Sequence, residues 1–164
     1  MGFRHIYSTM LPIRTAPMVL LLVVLAGTGS AWAQEGAVFR TDELSILSAG
    51  ERHHFRVEVA ETPAQRAQGL MWRKQMAPGH GTLFDFKAPG PVVMWMKNTY
   101  IALDMLFIGA DGRIINIARN TKPHSTDFIA SAGPALGVLE VIAGTVKKLG
   151  IRAGDRIDHP IFRK

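Results

Sequence analysis

The sequence predicts an α+β, β-rich fold: a mostly antiparallel sheet curled into a small barrel or sandwich, with two short helices. Three observations carry this. His54 to Val59 alternates, with Phe55, Val57 and Val59 apolar and His54, Arg56 and Glu58 polar, the period of a half-buried strand. Asp111-Gly112 falls between two apolar runs, which is hairpin chemistry. Only two segments carry helix signals, so strands must supply most of the core.

The chain opens with an expected export leader. Arg4, His5 and Arg14 precede the apolar run Met18 to Ala26, and Ala31-Trp32-Ala33 offers small residues where a signal peptidase cuts. The run is shorter than the about 20 residues of a spanning helix, and no Cys follows it to carry a lipid anchor. An uncleaved anchor is the alternative. Residues 1–33 are expected to be a signal peptide, 34–53 a lead-in with a first short strand, and 54–161 a single β-rich domain. A periplasmic or secreted address follows, with no membrane attachment after cleavage.

Composition narrows the function classes. The chain holds 19 Lys and Arg against 13 Asp and Glu; the leader contains Arg4 and Arg14 and no acid, so 17 against 13 remain, a mild +4. The basic residues are scattered rather than striped with aromatics, which argues against nucleic acid. The absence of Cys removes thiolate chemistry and Cys metal sites, and leaves packing alone to hold the domain. A monomer is expected.

Along the domain, a strand near Leu44 to Leu47 leads through Ser48-Ala-Gly-Glu51 into the alternating strand. Thr62, Pro63 and Gln65 form a T-x-x-Q capping box at the start of a helix over Ala64 to Met71. Strands are predicted over Leu83 to Phe86, Val92 to Lys97, Tyr100 to Ile108 and Arg113 to Ala118, parted by turns at Pro89-Gly-Pro91, Asn98-Thr99 and Ala110-Asp-Gly112. A long polar loop runs from Asn120 to about Pro134, a length often kept for function. Leu136 to Ile142 reads as a strand, Thr145 to Leu149 as a helix and Arg156 to Ile161 as a last strand.

Several motifs together resemble one known family. Gln68-Gly-Leu-Met-Trp-Arg73, Gly81-Thr-Leu-Phe84, Met94-Trp-Met-Lys-Asn-Thr99, Leu103-Asp-Met-Leu-Phe107, Val138-Leu-Glu140 and Gly150-Ile-Arg-Ala-Gly-Asp155 are similar to the uncharacterised bacterial and archaeal family called domain of unknown function 192. The resemblance covers about Phe55 to His159. It implies a compact β-rich domain and a hot region, and no reaction. Three positions depart from the family pattern: Thr82 where Met is common, Ala102 where Pro is common, and Gly137 where a larger residue is common. The third is expected to leave a gap before Leu139-Glu140 and to count against a role for that edge.

The strongest candidate site is Trp95 to Asp104. A strand there would put Val93, Trp95 and Lys97 on one face, and Met94 and Met96 on the other. Asp104, set among apolar residues, needs a partner if buried; Lys97, Arg73 or the N–H groups near Asn98 and Thr99 qualify. Arg73, Trp95, Lys97, Asn98, Thr99 and Asp104 could line a shallow pocket for a small polar ligand or envelope component. The plainer alternative is that Asp104 and Thr99 pin a turn while Trp95 fills the core. Met71, Met76, Met94, Met96 and Met105, with His80 or His124, could hold Cu(I), though Met also fills cores. An envelope hydrolase using Asp104 and the His124 loop, or an Asp85–Asp104 carboxylate pair, is a further reading, as is a structural accessory protein. No catalytic residue, metal ligand set or cofactor is assigned.

Overall fold

The computed structural model describes Gly2 and residues 37–163; the expected leader, Gly2 apart, lies outside the described residues. β1 (Arg40–Ser48) and β2 (Glu51–Ala60) form a hairpin, closed by Ala49 and Gly50, both at positive φ as a two-residue turn requires. β1 is thus longer than the strand expected at Leu44 to Leu47, and it begins four residues earlier.

The helix α1 (Pro63–Gln68) forms as its capping box predicts. Gln65 N–H donates to Thr62 Oγ1 at 3.2 Å, and Thr62 N–H donates to Gln65 Oε1 at 2.9 Å. It stops three residues earlier than expected because Gly69 turns to φ 45°, and a Cβ there would stand 2.8 Å from the Phe84 ring. The later strands are β3 (His80–Gly90), β4 (Val93–Met94), β5 (Leu103–Ile108), β6 (Ile114–Ala118), β7 (Ile129–Ala130), β8 (Ala135–Ile142) and β9 (Arg156–Asp158). α2 (Thr145–Lys148) follows β8, and a 3₁₀ turn over Pro160–Phe162 follows β9.

Seven strands make one sheet in the order β6-β5-β8-β3-β2-β1-β9, antiparallel except for β2–β3, which α1 connects as a parallel pair. The sheet curls until its edges meet at one end. Arg113 bridges Arg156, Ile114 N–H donates to Asp155 O at 2.9 Å, and Ile157 N–H donates to Gly112 O at 2.8 Å. Alternation then gives two cores. Leu44, Ile46, Val57, Leu83, Leu106, Ile108, Leu139 and Ile157 fill one, with Val146 of α2 and Phe162. Phe84, Leu103, Met105, Phe107 and Val138 form the other, packed with Leu70, Val92 and Met96.

Four expectations need correction. The strand expected over Val92 to Lys97 is only the two-residue β4, paired with β7, which lies inside the segment expected to be all loop. The chain leaves β4 because Met96 N–H turns to Ser125 O (3.0 Å) and Asn98 takes φ 57°. The strand expected over Arg156 to Ile161 ends at Asp158, where His159 caps the 3₁₀ turn. Gly137 leaves no gap and marks no edge: β8 is an interior strand, paired with β5 on one side and β3 on the other. A Cβ at Gly137 would lie 3.0 Å from both Phe84 O and the Phe162 ring, so Phe162 occupies the space.

Asp104 is 1% exposed, and its carboxylate accepts Asn120 N–H and Val146 N–H, each at 2.9 Å. It thereby ties β5 to the entry of α2. Asp104→Ala would leave two buried N–H groups unpaired and should lower the unfolding free energy by about 3 kcal/mol, with Asp104→Asn losing less. Urea denaturation of the two variants checks this.

Candidate functional site

β8 carries one acid in an otherwise apolar strand, Ala-Leu-Gly-Val-Leu-Glu-Val-Ile. Alternation puts Leu139 and Val141 in the first core and Val138 and Glu140 on the opposite face. Glu140 lies directly across from Thr82 on β3 and Met105 on β5, and Thr82 is across from Glu58 on β2. Glu58 has an ion-pair partner in Arg73. Glu140 has none. It is 4% exposed, and burial alone, with no cation or hydrogen bond opposing it, pushes its carboxyl up to about 8. The neighbouring Thr82 hydroxyl is also buried without a partner.

Above Glu140 lies a cavity of about 220 Å³. Phe84, Phe86 and Glu140 form its floor. Arg66 to Met71, the end of α1 and its exit, form one wall, and Val93, Met94, Trp95, Lys97 and Thr99 form the other. Backbone bonds stitch the walls and the loop behind them together: Trp72 N–H donates to Asn98 O at 2.8 Å, and His124 N–H to Thr99 O at 3.1 Å. Trp72, Asn98 and His124 all sit at positive φ, between 57° and 70°. Such strain in large side chains collects where surrounding structure enforces a shape, commonly at binding sites.

Exposed aromatic side chains stand beside these walls. Trp72 (60% exposed) tilts toward Tyr100 with centroids 6.2 Å apart, and Tyr100 meets the His124 ring edge-on at 4.7 Å. Trp95 is 44% exposed, with Lys97 Nζ 5.2 Å above its ring, and Phe128 stands beside it at 79% exposure. Arg66 lies over Phe86 at 5.6 Å, its Nη1 donating to Glu61 O and Asp85 O.

The six residues singled out by sequence therefore divide. Trp95, Lys97 and Thr99 line the cavity, and Asn98 joins its walls through its carbonyl and a 3.9 Å contact of its amide with Met71 Sδ. Arg73 is engaged by Glu58 outside the lining, and Asp104 points from the opposite face of the sheet. Asp85 and Asp104 stand across from Gly137 and Val141. Four residues along β8, about 13 Å, and the two strand spacings across it separate them, beyond a glycosidase pair. Of the methionines, Met71 and Met94 line the cavity, Met96 and Met105 are core, and Met76 lies elsewhere. Met96 Sδ accepts the Thr121 hydroxyl at 3.1 Å. Among the described residues no three His, Asp or Glu gather to hold a metal. Glu140 was not singled out; the available signal was a lone acid within an eight-residue apolar strand.

Comparison with known proteins agrees with the motifs. Residues 45–159 match the family described as DUF192, Uncharacterized ACR. The chain belongs to the DUF192 family. A crystal structure of a proposed transcription regulator from Sinorhizobium meliloti 1021 is 51% identical, with a TM-score of 0.73 over 74% of this chain and 95% of that one. A protein of unknown function from Novosphingobium aromaticivorans DSM 12444 is 37% identical, with a TM-score of 0.72 over 74% of this chain and 86% of that one. No curated protein gives a match.

The folded-state value for Glu140, about 8, lies above the ordinary 4.5. Its contribution to stability is therefore full below pH 4.5 and is lost as pH rises through 8, a cost of about 3 kcal/mol at pH 7. Glu140→Gln, which cannot ionise, should raise the melting temperature at pH 8 and match wild type near pH 4.5. Thermal unfolding across that range measures the gap.

Proposed function

We propose that this DUF192 chain is exported and binds a small polar or envelope-derived ligand in the cavity above Glu140. The observation that carries this reading is the unpartnered, buried carboxyl at the floor of an open cavity. A protein gains nothing in stability from such a group, and a misplaced polar side chain in a sheet centre is a feature that binding sites retain. Trp95, Lys97 and Thr99 at the wall provide an aromatic plane, a cation and a hydroxyl, a combination suited to orienting a polar molecule.

The hydrolase alternative loses its acid, since each Asp104 oxygen already accepts a backbone N–H. The regulator description belongs to the Sinorhizobium relative; an exported chain with scattered cations has no access to DNA and no stripe to bind it. Export rests on the order of charge, apolar run and A-x-A before Gln34.

Two measurements test the reading. N-terminal sequencing of the chain from its native host should begin at Gln34, and a mature form that retains the leader would contradict export. A thermal-shift screen of envelope fragments and small polar metabolites should yield hits that lose most of their shift in Trp95→Ala and Lys97→Ala. Both side chains are exposed, so the unliganded melting temperatures should stay within about 2 °C of wild type. Hits that persist in both variants would remove these residues from the site.

A further inference from the structure

The cavity's inventory of charge and hydrogen-bonding groups narrows the ligand class. From α1 come Arg66 and the amide of Gln68, whose Oε1 is already taken by Ala37 N–H at 2.6 Å, leaving the NH₂ to donate. The opposite wall brings Lys97, its ammonium over the Trp95 ring, and Thr99, whose hydroxyl donates to Lys97 O at 3.3 Å. Among the described residues the only acid in the lining is Glu140, and the groups flanking it across the sheet, Thr82 and Met105, carry no charge. Glu58, the next acid along the row, is neutralised by Arg73. The remaining surface is apolar: Leu70, Met71, Phe84, Phe86 and Met94.

Among the described residues the lining thus holds two cations, Arg66 and Lys97, against one acid. We infer that the cavity takes a small organic anion, a carboxylate on an apolar body, whose head group accepts a hydrogen bond from the Glu140 carboxylic acid while Lys97 and Arg66 supply the compensating charge. This rests on the proposed binding role of the same cavity. A carboxylic acid donating to a carboxylate makes a short, charge-assisted bond that an amide ligand cannot match. A cationic ligand would need Glu140 ionised, and would enter past two like charges. An elevated Glu140 value keeps the donor proton in place at neutral pH, consistent with the geometry.

The test uses benzoate, phenylacetate and isovalerate, each beside its own amide and amine, titrated calorimetrically into the purified chain at pH 6.5 and 9.0. Methyl NMR of Met71 and Met94 reports whether binding occurs in the cavity. At pH 6.5 at least one carboxylate should bind tenfold tighter than its amide and amine. Its Kd should rise about tenfold by pH 9.0 as the carboxyl ionises. Glu140→Gln, which keeps a neutral donor, should bind the carboxylate with a flat pH profile. Lys97→Ala should weaken the carboxylate and leave the amide unchanged.

Amides or amines binding as well as the carboxylates would overturn the anion assignment while leaving the cavity as a binding site. So would a carboxylate whose affinity ignores pH in the wild-type chain, a readout that does not depend on any variant folding. If no compound perturbs Met71 or Met94, both the anion assignment and the binding role of the cavity fall together.

Discussion

Glu140 is the constraint on which the site depends. β8 lies third of seven strands in a curled sheet, an interior position, so its outward face is covered rather than solvated, and a carboxyl there loses its water. Elsewhere the protein meets that cost with partners. Asp104 takes two backbone N–H groups, Asp85 takes Lys87 through both its N–H and its ammonium, and Glu58 takes Arg73. At Glu140 the cost is left standing, and the space above it is left open. The energetic penalty and the cavity are two aspects of one arrangement, since a partner side chain would both satisfy the acid and fill the volume.

The walls show how the fold keeps that space from collapsing. Gly69 ends α1 against the Phe84 ring, turning the chain outward instead of letting the helix continue over the floor. The segment after β4 is fastened from behind by the 120–130 region, through Met96 to Ser125 and His124 to Thr99, and from the front by Trp72 to Asn98. These bonds hold three non-glycine residues in left-handed backbone conformations. A wall held by backbone bonds of this kind leaves its side chains free to face a ligand, which is why Trp95 and Lys97 can remain exposed beside a well-packed core.

How much of this was legible in the sequence depended on the range of the interaction. The β1–β2 hairpin, the capping box at Thr62 and the Asp111-Gly112 turn are set by neighbouring residues, and each formed where local chemistry placed it. The order of strands is set by distant pairing. It decided that β8 is interior, that Gly137 packs under Phe162, and that Glu140 rather than Asp104 faces the cavity. Both acids sit in apolar strands and look alike locally; they differ because β5 presents Asp104 to the start of α2, while β8 presents Glu140 to Thr82 and Met105. Trp95, Lys97 and Thr99 were legible as a cluster because the motif that holds them is contiguous. Their strand was not, because Asn98 and the bond from Met96 to Ser125 turn the chain away after Met94.

The most direct test of this account is a ¹³C NMR titration of the Glu140 side-chain carboxyl in the wild-type chain, assigned by comparison with Glu140→Gln. A midpoint near 8, well separated from the other glutamates, is the predicted result. A midpoint between about 4 and 5, the ordinary glutamate range, would mean that the carboxyl is solvated or paired in solution, and the cavity floor described here would not exist in that form.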